Sequence, residues 1–158
     1  MDELIVNIVQ LEPMRAVTTV GFGQGPEEIA WNRMTAWAKQ KGLWKDGKAR
    51  RFFGMDTSSP SPASPNYGYQ VWMTVEPEVA GEGEITVTQM PGGLYAVTRV
   101  VVHNPWEDIP STWKRLMAWV EKSPYQLNHQ QCYEETFWSD EPDYHSFTLD
   151  LFLPVRAA

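Results

Sequence analysis

Apolar and polar residues alternate along much of the chain in segments that predict β-strands, and two longer segments have the period of helices. The predicted strands lie at about 4–9, 14–22, 51–55, 67–76, 85–89, 94–102, 132–138 and 145–154, and the predicted helices at about 26–41 and 109–122. Apolar residues at helical spacing give each helix a core-facing side: Ala30, Met34, Trp37 and Ala38 in the first, and Trp113, Leu116, Met117 and Val120 in the second. The order strand, helix, strand, strand occurs twice, which predicts an α+β fold with a mainly antiparallel sheet carrying two helices.

Two segments occur twice along the chain, in the same order. Ala16–Val20 is echoed by Ala96–Val100, and Trp31–Trp37 is echoed by Trp113–Trp119, at offsets of 80 and 82 residues. A repeat of this kind predicts two equivalent structural units related by a pseudo-twofold axis.

The expected organisation is one domain over 1–158, with one repeat at about 4–79 and the other at about 84–156. Ligand pockets favour the boundaries between structural units, so the repeat predicts a central ligand groove between its halves.

Composition excludes several classes of function. The net charge is −7, which argues against nucleic acid as a partner, because phosphates are bound by Lys and Arg. Cys132 is the only cysteine, so no intrachain disulfide forms, and a reducing cytoplasm fits. No apolar run approaches the ~20 residues of a membrane span, so we expect a cytoplasmic protein with no membrane partner.

Neither a metal site nor a standard hydrolase triad is predicted. The histidines at 103, 129 and 145 are dispersed, and no His or Cys pair has metal-ligand spacing. The glycine-rich segment 21–25 lacks the spacing and the lysine of a phosphate-binding loop. We therefore expect no metal and no cofactor.

Two adjacent carboxylates, Glu134 and Glu135, lie inside the otherwise apolar strand at 132–138. Alternation sends them to opposite faces, so one can point into the packed side while the other meets solvent. A carboxylate held among aromatic rings could act as an acid or base, or could await a cationic ligand. The alternative is that both are solvated on a twisted edge strand.

Aromatic residues are numerous, with eight Trp, six Tyr and six Phe, and some of them are expected to line a surface or cavity. Five lie in two other strands: Tyr67, Tyr69, Trp72, Phe147 and Phe152. If they converge on the inward carboxylate, they form an aromatic box for an organic cation. For each residue taken singly, ordinary core packing is the alternative.

The order of motifs resembles the GyrI-like family, also called the AraC-type effector-binding domain. The resemblance rests on the two Trp-x-x-x-x-x-Trp helices, on Met90–Val97 (MPGGLYAV), on Cys132–Glu134 and on the closing Leu151–Val155 (LFLPV). It spans nearly the whole chain and implies two strand-helix-strand-strand repeats about a ligand groove.

The resemblance also implies a set of site residues. Glu134 matches the family's ligand-recognising glutamate and would be the catalytic residue if the protein were an enzyme. The other residues expected at the ligand are Tyr69, Trp72, Tyr95, Trp106, Thr136 and Phe152. Thr136 and Phe152 stand where many relatives have Tyr, which removes hydroxyl donors but keeps an apolar box.

Many relatives are fused to a DNA-binding helix-turn-helix, whereas this chain is expected to be a stand-alone module. The resemblance implies binding or sequestration of hydrophobic, cationic aromatic compounds such as drugs or xenobiotics. Two alternatives stay open: a detoxifying hydrolase of the cyclopropanoid type that uses the groove glutamate, and a protein–protein inhibitor resembling the gyrase-inhibitory member.

Overall fold

The chain forms two helices and a set of antiparallel strands. The computed structural model describes residues 4–57, 66–138 and 142–158. The elements are β1 (Asn7–Leu11), β2 (Met14–Gly23), α1 (Pro26–Gln40), β3 (Phe52–Asp56), β4 (Tyr67–Thr74), β5 (Thr86–Met90), β6 (Gly93–Val102), α2 (Pro105–Glu121), β7 (Tyr125–Leu127), β8 (Tyr133–Phe137) and β9 (Phe147–Ala157). Among the described residues, neither helix combines the length and apolar character that crossing a membrane requires.

Two compact units are present. The central unit is Met14–Met90, and the terminal unit combines Met1–Pro13 with Pro91–Ala158. The units differ from the expected repeat boundaries at both ends of the first half, because β1 pairs with β6 and β5 pairs with β2. The repeat of 4–79 and 84–156, with its pseudo-twofold axis and groove, stays a prediction.

In the central unit, the strands lie in the order β3-β4-β2-β5, and every one of these pairings is antiparallel. Helix α1 buries the side that the apolar spacing predicts, with Ala30, Met34, Trp37 and Ala38 all buried. Its Trp31 ring lies 6.4 Å from the Phe52 ring of β3, which places α1 on that face of the sheet.

In the terminal unit, the strands lie in the order β1-β6-β9-β8, and the short β7 pairs with the far end of β9. Alternate residues of β6 and β9 form one core with α2: Ala96, Val102, Leu116, Val120, Leu149, Leu151, Leu153 and Val155. Apolar side chains that recur every second residue along the strands pack here against apolar side chains that recur about every 3.6 residues along the helix.

The Pro-Gly-Gly turn before β6 has a steric cause. Gly92 has a φ of 75°, and a Cβ there would come within 2.4 Å of the Leu11 carbonyl oxygen. Only glycine meets both demands, because it accepts positive φ and leaves room for the end of β1.

Helix α2 begins four residues before the predicted Ile109. Pro105 is at its first position, where the missing N–H would have no helical partner. The Asp108 carboxylate accepts hydrogen bonds from the backbone N–H groups of His103 and Asn104, both at 2.9 Å. The predicted apolar side is also rotated slightly, since Thr112 is buried and Met117 is 41% exposed.

Candidate functional site

The two adjacent glutamates of β8 are both buried, at 7% exposure for Glu134 and 6% for Glu135. Their side chains contact different elements, as strand alternation requires. The expectation that one of them faces solvent is therefore wrong, and so is the alternative that both do.

Glu134 lies on the face of the sheet that α2 covers. The indole Nε1–H of Trp113 on α2 donates to Glu134 Oε2 at 3.2 Å. Across the strand pair Glu134 is opposite Leu151, a member of the α2 core. The sequence therefore places a buried carboxylate in an apolar core, and an aromatic N–H is one of its partners.

Thr136 of β8 and Cys132, which comes directly before the strand, share this face. Thr136 is 4% exposed and opposite Leu149, another core residue. Burial raises the pKa of the Cys132 thiol, and the nearby charge of Glu134 adds to the effect. Trp113, Glu134 and Thr136 define what we call the helix-facing site.

Glu135 lies on the opposite face of the same sheet, in a polar setting. It is opposite Asp150 on β9, and the Arg99 Nε–H donates to Asp150 Oδ1 at 2.8 Å. The charges of Asp150 and Glu135 both raise the pKa of Arg99, whose guanidinium also lies 4.9 Å from the Phe137 ring centre. Arg99 therefore places a positive charge on the face of the sheet that carries Asp150 and Glu135.

Tyr95 and Phe152 are brought together, but away from Glu134. Their rings are 5.7 Å apart in an edge-on arrangement, on the face that carries Glu135. The Tyr95 hydroxyl donates to the backbone oxygen of Gln131 at 2.8 Å, and burial raises the pKa of Tyr95. The two rings pack against each other on that face, and their part in ligand binding stays a prediction.

Tyr69 and Trp72 are buried on opposite faces of β4 in the central unit. The Tyr67 hydroxyl donates to Glu27 on α1, so Tyr67 and Tyr69 share the α1 side while Trp72 takes the other. Tyr69 reaches across β3 only because Gly54 has no side chain, since a Cβ there would fall on its hydroxyl.

Trp106, the last predicted site residue, is 74% exposed in the first turn of α2. Trp113 is the residue that sequence reasoning missed, because its helical spacing marked it as core. No local pattern in the sequence shows that this tryptophan lies beside a strand glutamate, and only the packing of α2 on the sheet reveals it.

A family model described as the GyrI-like small molecule binding domain matches residues 6–156. The chain belongs to this family. Membership makes the chain a small-molecule-binding domain, and the expected resemblance and α+β class are confirmed. Comparison with curated protein sequences gives no match.

Solved structures with this fold include that of the EcmrR C-terminal domain, with a TM-score of 0.71 at 12% identity, covering 98% of this chain and 99% of that one. EcmrR in its DNA complex has a TM-score of 0.72 at 12% identity, and the match covers 98% of this chain. This chain spans 58% of the length of that longer chain. SAV2435 bound to tetraphenylphosphonium gives 0.60 at 14% identity, covering 97% of this chain and 94% of that one. Identities this low show similarity of fold alone.

Within the described residues, no group of three or more His, Cys, Asp or Glu side chains is arranged to hold a metal ion. The helix-facing site presents a carboxylate, an indole and a hydroxyl.

Proposed function

We propose that this GyrI-like domain binds a hydrophobic organic cation at the helix-facing site, with Glu134 as the counter-charge and Trp113 as an aromatic wall. The observation that carries the proposal is the hydrogen bond of 3.2 Å from the Trp113 indole to the buried Glu134 carboxylate. It holds a negative charge against the edge of an aromatic ring.

The energetics favour a cation at this position. A carboxylate loses hydration when it is buried, and for Glu134 the neutral indole of Trp113 is one of the groups that replace this hydration. A cation placed beside Glu134 and the Trp113 ring would gain both charge pairing and a cation–π contact. The net charge of −7 also favours the approach of cations over anions.

A structural neighbour is consistent with this ligand class. SAV2435, which has the same fold at 14% identity, was solved bound to tetraphenylphosphonium, a hydrophobic cation. That finding belongs to SAV2435, but it makes tetraphenylphosphonium the natural first probe for this domain.

The test is isothermal titration of tetraphenylphosphonium into wild type, Glu134→Gln and Glu135→Gln. We expect Glu134→Gln to weaken binding by about 2–5 kcal/mol, the range for truncating one partner of a desolvated charge pair. Glu135→Gln is the matched control, because Glu135 is adjacent and equally buried but lies on the other face of the sheet; we expect it to leave the affinity for the cation nearly unchanged.

Thermal melts of each variant show whether a lost affinity reflects lost folding. Tetraphenylborate, an anion of the same shape, is expected to bind much more weakly than the cation. If the two probes bind equally well, or if Glu135→Gln carries the larger loss, Glu134 is not the counter-charge and the proposal fails.

A further inference from the structure

A cluster of aromatic rings continues the face of β8 that carries the helix-facing site. Trp138 follows β8 directly and, by strand alternation, shares the face of Glu134 and Thr136. Its ring centre lies 5.5 Å from that of Phe147 and 5.8 Å from that of Tyr144. Phe147 packs against the core beneath α2, so these rings are on the helix side of the sheet. We call Trp138, Tyr144 and Phe147 the aromatic end.

The strand register shows where the aromatic end lies relative to α2. Phe147 of β9 is paired with Val102, the last residue of β6, and α2 begins shortly after it at Pro105. The aromatic end is therefore near the first turn of α2. Glu134 is about 13 Å away along β8, since it precedes Trp138 by four residues.

Helix α2 carries exposed apolar residues along the same path. Trp106 and Pro110 precede Trp113 by seven and three residues, so all three lie within about 60° of one another around the helix. Trp106 is 74% exposed, Pro110 is also exposed, and Trp113 is half-buried. Trp106 is about 10 Å from Trp113 along the helix axis. This row of apolar residues leads from the Glu134 carboxylate toward the start of α2.

The charges of α2 favour this direction for a cation over the opposite one. The acidic pair 107–108 is in the first turn beside Trp106, whereas the basic pair 114–115 follows Trp113, on the side of Met117. A cation is attracted by the acidic turn and repelled by the basic pair. The body of a cation bound at Glu134 is therefore favoured toward Trp106.

We propose that the helix-facing site selects elongated cations, in which a second aromatic group lies about 10 Å from the charge and packs between Trp106 and the aromatic end. The inference rests on the proposed function for the position of the charge at Glu134. Trp106 is then the residue that determines specificity for length. A compact cation such as tetraphenylphosphonium, whose rings all surround its charge, does not use the contact with Trp106.

Two phosphonium cations that differ by one ring test this proposal. (6-Phenylhexyl)triphenylphosphonium carries a phenyl ring at the matching distance from its charge, and hexyltriphenylphosphonium has the same arm without the ring. We expect isothermal titration of the wild-type protein to give about three- to tenfold tighter binding of the phenyl compound, the gain for one aromatic contact.

Variants at the two ends of the apolar row show which residue causes the preference. Trp106→Ala is expected to bring the ratio of the two affinities to about one, because the distal ring loses its aromatic partner. Met117→Ala is the matched control, since Met117 is also exposed on α2 but lies on the basic side of Trp113, and it is expected to keep the ratio. Thermal melts check that both variants are folded.

Three results would overturn the inference: equal affinity of the two compounds for the wild type, an unchanged ratio in Trp106→Ala, or loss of the ratio in Met117→Ala. Glu134→Gln is expected to weaken both cations by the same factor and to keep their ratio. An unweakened affinity in Glu134→Gln contradicts the proposed function, whereas a ratio that does not depend on Trp106 contradicts this inference alone. The two failures therefore give different results.

Discussion

At the residue scale, a carboxylate pair near the start of α1 is the clearest source of pH dependence. Asp56 ends β3 opposite Tyr69, and Glu27 is in the first turn of α1. Asp56 is an exposed residue, but partial desolvation of its carboxylate and the nearby charge of Glu27 raise its pKa from 3.8 to about 6. The Tyr67 hydroxyl holds Glu27 in place with a bond of 2.5 Å.

Because folding raises the pKa of Asp56, the native state holds this proton more tightly than the unfolded chain. The stability that the proton contributes is fully present below about pH 3.8 and is lost as the pH rises through about 6. We expect Asp56→Asn to be more stable than wild type at pH 7.5, and the difference to disappear near pH 4. Urea unfolding across this range measures it.

Glu28→Gln on the exposed side of α1 is the control for removing one negative charge, and it is expected to keep the loss of stability between pH 4 and pH 7.5 that Asp56→Asn removes. A wild-type profile parallel to that of Asp56→Asn between pH 4 and 7 would contradict the prediction. Glu76 affects stability in a lower pH range, because its hydrogen bonds with Arg50 and Lys48 lower its pKa to about 2.

For single residues of the candidate site, strand alternation was the only sequence pattern that predicted which face of the sheet a side chain occupies. It separates Glu134 from Glu135 without error, since the period of a strand is fixed. It also places Phe152 opposite the strand position of Tyr133, and hence away from Glu134, but only once the register of β8 on β9 is known. The Arg99 that accompanies Glu135 is distant in sequence, and no local pattern indicates it.

At the element scale, the strands and both helices follow from the hydrophobic pattern, while their ends depend on side-chain contacts. The pattern places α2 too late because Pro105 and Pro110 resemble helix breakers in sequence. The three-residue β7 is too short to show a period, and it exists because the end of β9 provides a partner. Local propensity therefore decides the elements, and capping and pairing decide their limits.

The hydrogen bonds that the Asp108 carboxylate accepts at the start of α2, which we call the cap of α2, allow a test of how much this contact stabilises the helix end. Hydrogen bonds from the backbone N–H groups of Asn104 and His103 lower the pKa of Asp108. We expect Asp108→Ala to lower the melting temperature at pH 7 by about 2–4 °C, the shift for a loss of this order in a protein of this size. Since the pKa is lowered in the folded state, the difference should fade as the pH drops below 3.8.

Glu107→Ala is the control, because Glu107 is in the same turn and its carboxylate accepts, among the residues that the structure describes, from the Asn104 side chain at 3.3 Å and not from a backbone N–H. Differential scanning calorimetry of both variants at pH 7 and pH 3 gives the comparison. An effect of Glu107→Ala as large as that of Asp108→Ala would assign the stabilisation to charge near the helix start instead of to the cap.

At the scale of the whole molecule, the unexpected feature is that the chain's first strand completes the unit formed by Pro91–Ala158. β1 pairs with β6 from Asn7↔Val97 to Leu11↔Gly93, and the Thr98 hydroxyl donates to the Ile5 carbonyl at 2.8 Å. Sequence order places β1 with the first repeat, and only the long-range pairing reveals its partner. β5 joins the central unit by pairing with β2.

Because β1 pairs with β6, we predict that loss of β1 affects the terminal unit and spares the central unit. Deleting residues 2–12 removes the strand beside β6 and the apolar side chains of Leu4, Val6 and Ile8 that pack on the α2 core. We expect hydrogen exchange in β6 to accelerate about tenfold or more, with β4 of the central unit keeping its protection. A synthetic peptide of residues 4–12 should restore β6 by strand addition. Equal protection of β6 with and without β1 would mean that the pairing contributes nothing to stability, and equal loss in β4 would mean that the two units unfold as one.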